Sequence, residues 1–196
     1  MTIEPTTRRA ILDAAKDALI EVGYAGLSTR KISVAAGVPL SQIHYHFGSK
    51  RGLMLEVLAE ENRRLLDRQR SMFSQDIPLW KQWEQACDFL EDDLESGYVR
   101  VLLEMASAGW SDPEIAAAVR AMIGGWFGLL ASVARGAHER LESLGPFTPE
   151  EAAVIAGAPF LGIETLLLLG FTEKDLPTRS ALRKVGEVLR RLERES

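Results

Sequence analysis

The chain has 196 residues, a formal net charge of −5 and one cysteine, Cys87. A single cysteine excludes an internal disulfide, and the sequence has no paired Cys/His spacing for a metal, so we expect a reducing cytoplasm and neither metal nor cofactor. The length is enough to bury a sizeable core, either as one large domain or as a small head on a larger body.

The charge is unevenly distributed along the chain. Residues 1–50 hold six Lys/Arg against four Asp/Glu, whereas residues 51–196 hold 17 against 24. A basic segment followed by an acidic one is typical of a nucleic-acid-binding head on a body that repels phosphates. We therefore predict two domains, a head of residues 1–50 and a body of residues 51–196.

Apolar residues recur at helical spacing from the start of the chain. Six of them predict the apolar stripe of a first helix: Ile11, Leu12, Ala15, Ala18, Leu19 and Val22. Glycine tolerates the left-handed geometry that closes a helix, so Gly23 and Gly26 are expected to end this one. No alternating pattern typical of a β-strand competes with the helical pattern.

Two short helices and a long one are predicted next. Thr29 is placed to cap a helix of residues 30–36, and Ser49 to cap a long amphipathic helix of about residues 50–74. Between them, Pro39 can open a second short helix.

The two short helices have the pattern of a helix-turn-helix. Their apolar positions can all face one small core: Ile32, Ala35, Ala36, Val38, Ile43 and Phe47. Small alanines beside Gly37 let the helices cross closely at a steep angle, as is needed to project the second helix into a major groove. Gln42, His44, Tyr45 and His46 are left on or near the projecting surface.

Residues from about Ala10 to Leu55 resemble the signature of the tetracycline-repressor (TetR) family of transcription regulators. The shared features are a Thr-capped helix, an Ala-Gly-Val turn and a Tyr-x-His-Phe-like recognition helix before Ser-Lys. The resemblance implies an all-helical homodimer of about nine helices per chain. It also implies that the dimer represses by binding a palindromic operator in double-stranded DNA, and that a small hydrophobic effector releases it.

The resemblance also assigns roles to residues of the head. It implies that Thr29, Tyr45 and Lys50 contact phosphates, assisted by Ser49 at the start of the fourth helix, where backbone N–H groups favour a phosphate oxygen. Three positions depart from the family pattern, so the operator preference is not carried over: Pro39, Ser41 and His44.

Three side chains are expected to reach base edges: Arg30, Gln42 and His44. Arginine suits the acceptors of guanine and glutamine suits adenine. Ser41 and His46 complete the predicted DNA-binding set. His44 and His46 stand two apart on a helix and point to nearly opposite sides, so they cannot hold one metal ion.

The body predicts five further helices and is rich in large side chains between residues 80 and 160. Pockets for small molecules are mostly apolar with a few oriented polar groups. The expected ligand contacts are Trp80, Trp83, Phe89, Tyr98, Leu102, Met105, Trp110, Met122, Trp126, Phe127, Phe160 and Glu164. An ordinary aromatic core is the alternative. Three glycines in one helix, at 124, 125 and 128, indicate either close helix approach or room for a ligand.

The last two helices carry more apolar surface than a surface helix usually does. The expected dimer interface is Ile155, Phe160, Ile163, Leu166, Leu167, Leu182, Val185, Leu189 and Leu192. Two copies of this helix pair can form a four-helix interface, and burial within one chain is the alternative. The apolar run of residues 152–171 reaches membrane-spanning length, but Pro159 and Glu164 are costly in lipid, so we expect no membrane contact.

Two other classes of function compete. An enzyme would use Cys87 as a nucleophile or the acidic cluster of residues 91–95 as a metal site, with only His138 outside the head as a base. A helical module that binds a protein through its head is the second. Neither has a motif to support it, so we predict a regulator without enzymatic activity.

Overall fold

The computed structural model describes residues 6–141 and 146–195. Within these ranges the chain forms nine helices and no β-strand, which confirms the all-helical prediction. The helices are α1 (Thr7–Gly26), α2 (Thr29–Ala35), α3 (Leu40–Phe47), α4 (Lys50–Phe73), α5 (Leu79–Glu95), α6 (Tyr98–Gly109), α7 (Pro113–Leu141), α8 (Pro149–Leu168) and α9 (Thr178–Glu195).

The first helix turns at a glycine, as predicted. Gly23 has φ of 69° and interrupts the helical geometry of α1, which continues to Gly26. The predicted stripe holds for Ile11, Leu12, Ala15 and Leu19, which are buried. Val22 is 48% exposed, so the last residue of the stripe lies outside the core.

Two details of the predicted helix-turn-helix are wrong. The structure places Thr29 as the first residue of α2 and Ser28 at the N-cap, with no side-chain cap bond. Thr29 is therefore not the cap. Ala35 is exposed, whereas Ile32, Ile43 and Phe47 are buried as predicted. A helix of two turns buries only one side, and Ile32 already occupies that side of α2.

The caps of two longer helices follow the local sequence. Ser49 accepts a hydrogen bond from the backbone N–H of Gly52 at 3.0 Å, as predicted for the start of α4. At the start of α8, Thr148 and Glu151 form a reciprocal capping box, with Pro149 as the first helical residue. Glycine and proline residues within residues 145–149 also predict a break before α8, and this break begins outside the described residues.

The chain divides into two compact units. Unit 1 comprises residues 1–64 and 100–122, and unit 2 comprises residues 65–99 and 123–196. Unit 1 thus contains the predicted head together with parts of the predicted body. The functional boundary at residue 50 stays a prediction.

Each unit has its own apolar interior. In unit 1, α1, α2 and α3 pack on one another around fully buried Ile11, Leu19, Ile32 and Ile43. In unit 2, α5 packs against α8 and α9. Its core is Cys87, Leu90, Phe160 and Leu182, and the partly buried Trp83, Ala86, Leu94, Trp126, Ile163 and Leu167 pack against it.

Two segments are long and apolar enough to cross a membrane by length and composition, Pro113–Glu139 and Pro149–Leu168. This is weak evidence, because core helices of soluble proteins pass the same test.

Candidate DNA interface and ligand-binding interior

The third helix presents a polar face to solvent. Ile43 and Phe47 are buried and hold one side of α3 against α1 and α2. Ser41 and His44 are exposed on the other side, and Tyr45 beside them is 81% exposed. A helix fixed by its apolar side and open on its polar side is the arrangement that a groove-reading helix requires.

Gln42 and His46 lie at the edges of this polar face and are half-buried. The ring of His46 lies 5.0 Å from that of Tyr45 and 5.9 Å from that of Phe47. The Nδ1 of His44 is 3.2 Å from the carbonyl oxygen of Gly48, which is the C-cap of α3. The two histidines therefore have different surroundings, as their spacing predicts.

The start of α4 lies beside the turn of α1. The Nζ of Lys50 donates a hydrogen bond to the carbonyl oxygen of Tyr24 at 3.0 Å and lies 4.6 Å from the centre of the Tyr24 ring. The backbone N–H of Tyr24 in turn donates to Glu104 at 3.0 Å. Tyr24 thus binds the side-chain ammonium of Lys50, which the family resemblance expects to contact a phosphate. A lysine has three donors, so others remain for a phosphate oxygen.

Sequence reasoning missed two residues near this surface. Tyr24 was not among the expected contacts, although its position directly after Gly23, at a turn of the backbone, was a usable signal. Lys31 is exposed on α2 next to exposed Arg30 and adds a second positive charge there. Thr29 is half-buried and Ser49 is exposed.

The comparison with known families bears on this part of the chain. Residues 11–57, which span α1 to α3 and the first turns of α4, match the model of bacterial regulatory proteins of the tetR family. Residues 11–57 are a tetR-family domain. The helix-turn-helix of α2 and α3 thus lies within the segment that matches this family.

Solved structures extend the likeness to the fold of the whole chain. The fatty acid degradation regulator FadR of Bacillus halodurans superposes with a TM-score of 0.79 at 18% identity, over 96% of each chain. A transcriptional regulator FadR of Bacillus subtilis, in complex with stearoyl-CoA, has a TM-score of 0.75 at 17% identity, over 92% of this chain and 96% of that one.

A Saccharomonospora viridis chain described as a putative transcriptional regulator, solved in complex with choline, superposes with a TM-score of 0.77 at 22% identity, over 92% of this chain and 95% of that one. No curated protein sequence matches.

Beyond the tetR-type domain, the expected ligand contacts fall into separate places. Leu102, Met105 and Met122 are buried and belong to unit 1. Trp110 also belongs to unit 1, but it is 88% exposed. The other eight belong to unit 2. Trp110 therefore does not line an interior pocket: it lies in the turn between α6 and α7, which leaves its ring in solvent.

In unit 2, aromatic side chains gather around the inward face of α8. The rings of Trp83 and Phe160 lie 5.4 Å apart, edge to face. The indole N–H of Trp83 donates to the carbonyl oxygen of Leu182, and that of Trp126 donates to the amide oxygen of Gln69, each at 2.7 Å. The polar atoms of both indoles are therefore satisfied, while their ring faces lie among apolar groups.

The glycine that permits close packing is not one of the predicted three. A Cβ added at Gly157 would lie 2.8 Å from Phe127 and 3.1 Å from Trp126, so α8 needs a glycine there. Gly124, Gly125 and Gly128 have open space where a Cβ would be. Close helix approach is thus not the reason for those three.

Charged side chains also lie in the interior of unit 2. Asp93 is buried and pairs with Arg68, whose guanidinium lies 4.3 Å from the centre of the Phe89 ring. Glu164 is 7% exposed. Burial, and secondarily the charge of Asp93, raise the pKa of Glu164 to about 8.

Trp80 and Tyr98 complete the survey of unit 2. Trp80 lines an open groove of about 480 Å³ with Asp76, Ile77, Pro78, Arg190, Glu193 and Arg194. The guanidinium of Arg190 lies 4.8 Å from the centre of its ring. Tyr98 is buried.

The predicted dimer residues separate into an inward and an outward set. Phe160 and Leu182 lie in the core of their own chain, with Ile163 and Leu167 packed against it. The expectation that Phe160 and Leu182 face a second copy is therefore corrected. Leu166 and Leu189 are half-buried. Ile155, Val185 and Leu192 are exposed, together with Val154, Leu169 and Val188 of the same two apolar segments.

The chemistry expected of an enzyme has poor support in this interior. Cys87 is buried, and burial raises the pKa of its thiol to about 11, so the reactive thiolate is disfavoured. Within the acidic cluster, Glu91 pairs with Arg179 and Asp93 with Arg68. These carboxylates are neutralised by arginines of unit 2.

Proposed function

We propose that this chain is a cytoplasmic repressor that binds a palindromic operator as a homodimer and leaves it when a small hydrophobic effector binds. The observation that carries the proposal is the geometry of α3, in which buried Ile43 and Phe47 hold a helix whose exposed side carries Ser41, His44 and Tyr45. Within a tetR-type domain, this is the side that would enter the major groove.

Charge around α3 supports docking on a phosphate backbone. Arg30 and Lys31 are exposed on α2, and Lys50 stands at the start of α4 beside the cap Ser49. We assign Lys50, Tyr45, Thr29 and Ser49 to phosphates, and Arg30, Gln42 and His44 to base edges. Ser41 and His46 flank these contacts.

A second copy would supply the other half-site. Exposed apolar residues of α8 and α9, such as Ile155 and Val188 at 55% each, leave a face that a symmetric partner could cover. A palindromic operator mirrors such two-fold symmetry.

The effector is proposed to bind in the aromatic interior of unit 2. Two structural neighbours were solved with very different molecules, stearoyl-CoA and choline. Likeness of fold therefore does not select the ligand class. Effector binding would release DNA if it favours a distance between the two heads that does not fit two successive major grooves. The effector site and the DNA site would then be linked by a coupling free energy.

The test is a gel-shift titration on genomic fragments enriched by the protein. Lys50→Ala should weaken binding to all fragments alike, by about tenfold, and lower the slope of affinity against salt by about 1. Gln42→Ala should instead lose discrimination at one base pair, about 1–3 kcal/mol between matched and mismatched operators.

Lys184→Ala is the matched control, because it removes the same charge from an exposed position on α9. Failure of the unaltered protein to bind any duplex at low salt would refute operator binding and favour a module that binds a protein through its head. Equal losses for Lys50→Ala and Gln42→Ala on matched and mismatched operators would refute the division of roles.

A further inference from the structure

Glu164 lies in the interior without a partner for its carboxylate. It belongs to the buried stripe of α8 with Ala153, Gly157 and Phe160. Among the residues that the structure describes, none donates a hydrogen bond or forms an ion pair with it. Buried polar groups are nearly always paired, since an unpaired one costs free energy. Glu164 is therefore an unpaired acid in the interior of unit 2, although its oxygens are not among the fully enclosed unpaired atoms there.

The charge around Glu164 is not balanced by the protein. The charged group that acts on it is Asp93 of α5, which is itself an acid. Arg68 of α4 is the cation beside Asp93, and its guanidinium is already shared between Asp93 and Asp92. With Glu164 ionised, this interior holds more negative than positive charge, which repels an anion and attracts a cation.

Aromatic faces surround the same stripe. Phe160, one turn from Glu164, contacts the ring of Trp83, and a Cβ at Gly157, two turns away, would meet Trp126 and Phe127. Trp83 and Trp126 pack against the core of unit 2 and are only partly buried. Aromatic faces attract alkylammonium groups, most strongly where water is excluded.

We infer that the effector is a hydrophobic organic cation, of the alkylammonium class, whose charge is neutralised by the Glu164 carboxylate while its carbon groups contact Trp83, Trp126 and Phe160. The inference rests on the proposed effector site in unit 2 and names its ligand class. On binding, the cation takes the place of the proton on Glu164, and that proton passes to solvent.

The experiment is a calorimetric titration of the full chain with benzyltrimethylammonium and with its uncharged carbon isostere, neopentylbenzene. At pH 8.5 the cation should bind at least about tenfold more tightly than the isostere. Glu164→Gln should weaken binding of the cation by roughly thirtyfold or more and leave the isostere unaffected. Glu187→Gln, an exposed acid on α9, is the matched control and should change neither.

The pH dependence of cation binding distinguishes a ligand contact by Glu164 from a merely structural role of this residue. Below a pKa of about 8 the carboxyl holds its proton, so the apparent Kd for the cation should rise by roughly twentyfold from pH 8.5 to pH 6.5. Asp93 of α5 is the charged group that acts on Glu164, and Arg68 of α4 pairs with Asp93. In Glu164→Gln this dependence should disappear.

Equal affinity of the unaltered protein and Glu164→Gln for the cation would overturn the inference, as would tighter binding of the isostere. Glu164→Asp, which keeps the charge on a shorter side chain, should recover part of the affinity if Glu164→Gln folds poorly. Operator binding measured without ligand separates the two proposals: intact operator binding with no response to the cation refutes the ligand class alone.

Discussion

At the scale of single residues, Gly23 and Gly124 have opposite surroundings. Gly23 has φ of 69°, and a Cβ there would lie 2.9 Å from Glu104, whereas a Cβ at Gly124 would meet nothing within 4 Å. Gly23→Ala should therefore destabilise the chain by about 1–2 kcal/mol. Gly124→Ala, in the middle of α7, should stabilise it by up to about 1 kcal/mol. The midpoint of urea unfolding measures both, and a shift in the same direction for the two variants would contradict this account.

At the scale of elements, α8 begins at a capping box formed by Thr148 and Glu151. Thr148 accepts a bond from the backbone N–H of Glu151 at 3.2 Å, and its own N–H donates to the Glu151 carboxylate at 2.8 Å. Loss of an N-cap costs on the order of 1 kcal/mol, so Thr148→Ala should lower the Tm by about 2–4 °C.

Thr172→Ala is the matched control for the cap of α8. Thr172 makes similar bonds to Asp175 but lies between α8 and α9. An equal loss of Tm in both variants would show that a helix start is not what Thr148 contributes.

At the scale of the whole molecule, the exposed stripe of α9 is part of the face that we propose a second copy covers. Val185, Val188 and Leu192 are exposed on one side of the helix, while Leu182 and Gly186 are buried on another. Val188→Lys should convert the dimer into monomers and weaken operator binding, because a charge would be buried without a partner. Sedimentation velocity over a range of protein concentrations measures the first effect.

The control introduces the same lysine elsewhere on α9. Glu187 is exposed, about a third of a turn away from Val188 and on the charged side, so Glu187→Lys should leave the dimer intact. Monomers of the unaltered protein at high concentration would refute the proposed interface altogether.

How far the sequence could predict this protein depends on the range of each interaction. Ser49 as the cap of α4 and the break at Gly23 were predicted, because a cap and a glycine turn depend on neighbours within a few residues. The choice of Ser28 over Thr29 at α2 was not, since either residue type suits the position. The exposed positions of α3 followed from helical spacing once Ile43 and Phe47 were taken as the buried side.

Local periodicity and turn residues alone predicted the order of the helices found in the described part of the chain, whereas the tetR-type head was implied by a resemblance of its motif. Only the tertiary structure decided which apolar residues of α8 and α9 are buried within the chain. Helical spacing does not distinguish Phe160 from Val185 until the packing of α5 is known. The tertiary structure alone placed Lys50 on Tyr24 and Glu164 without a partner. Such contacts join residues far apart in the chain, and neither spacing nor composition records which distant groups will meet.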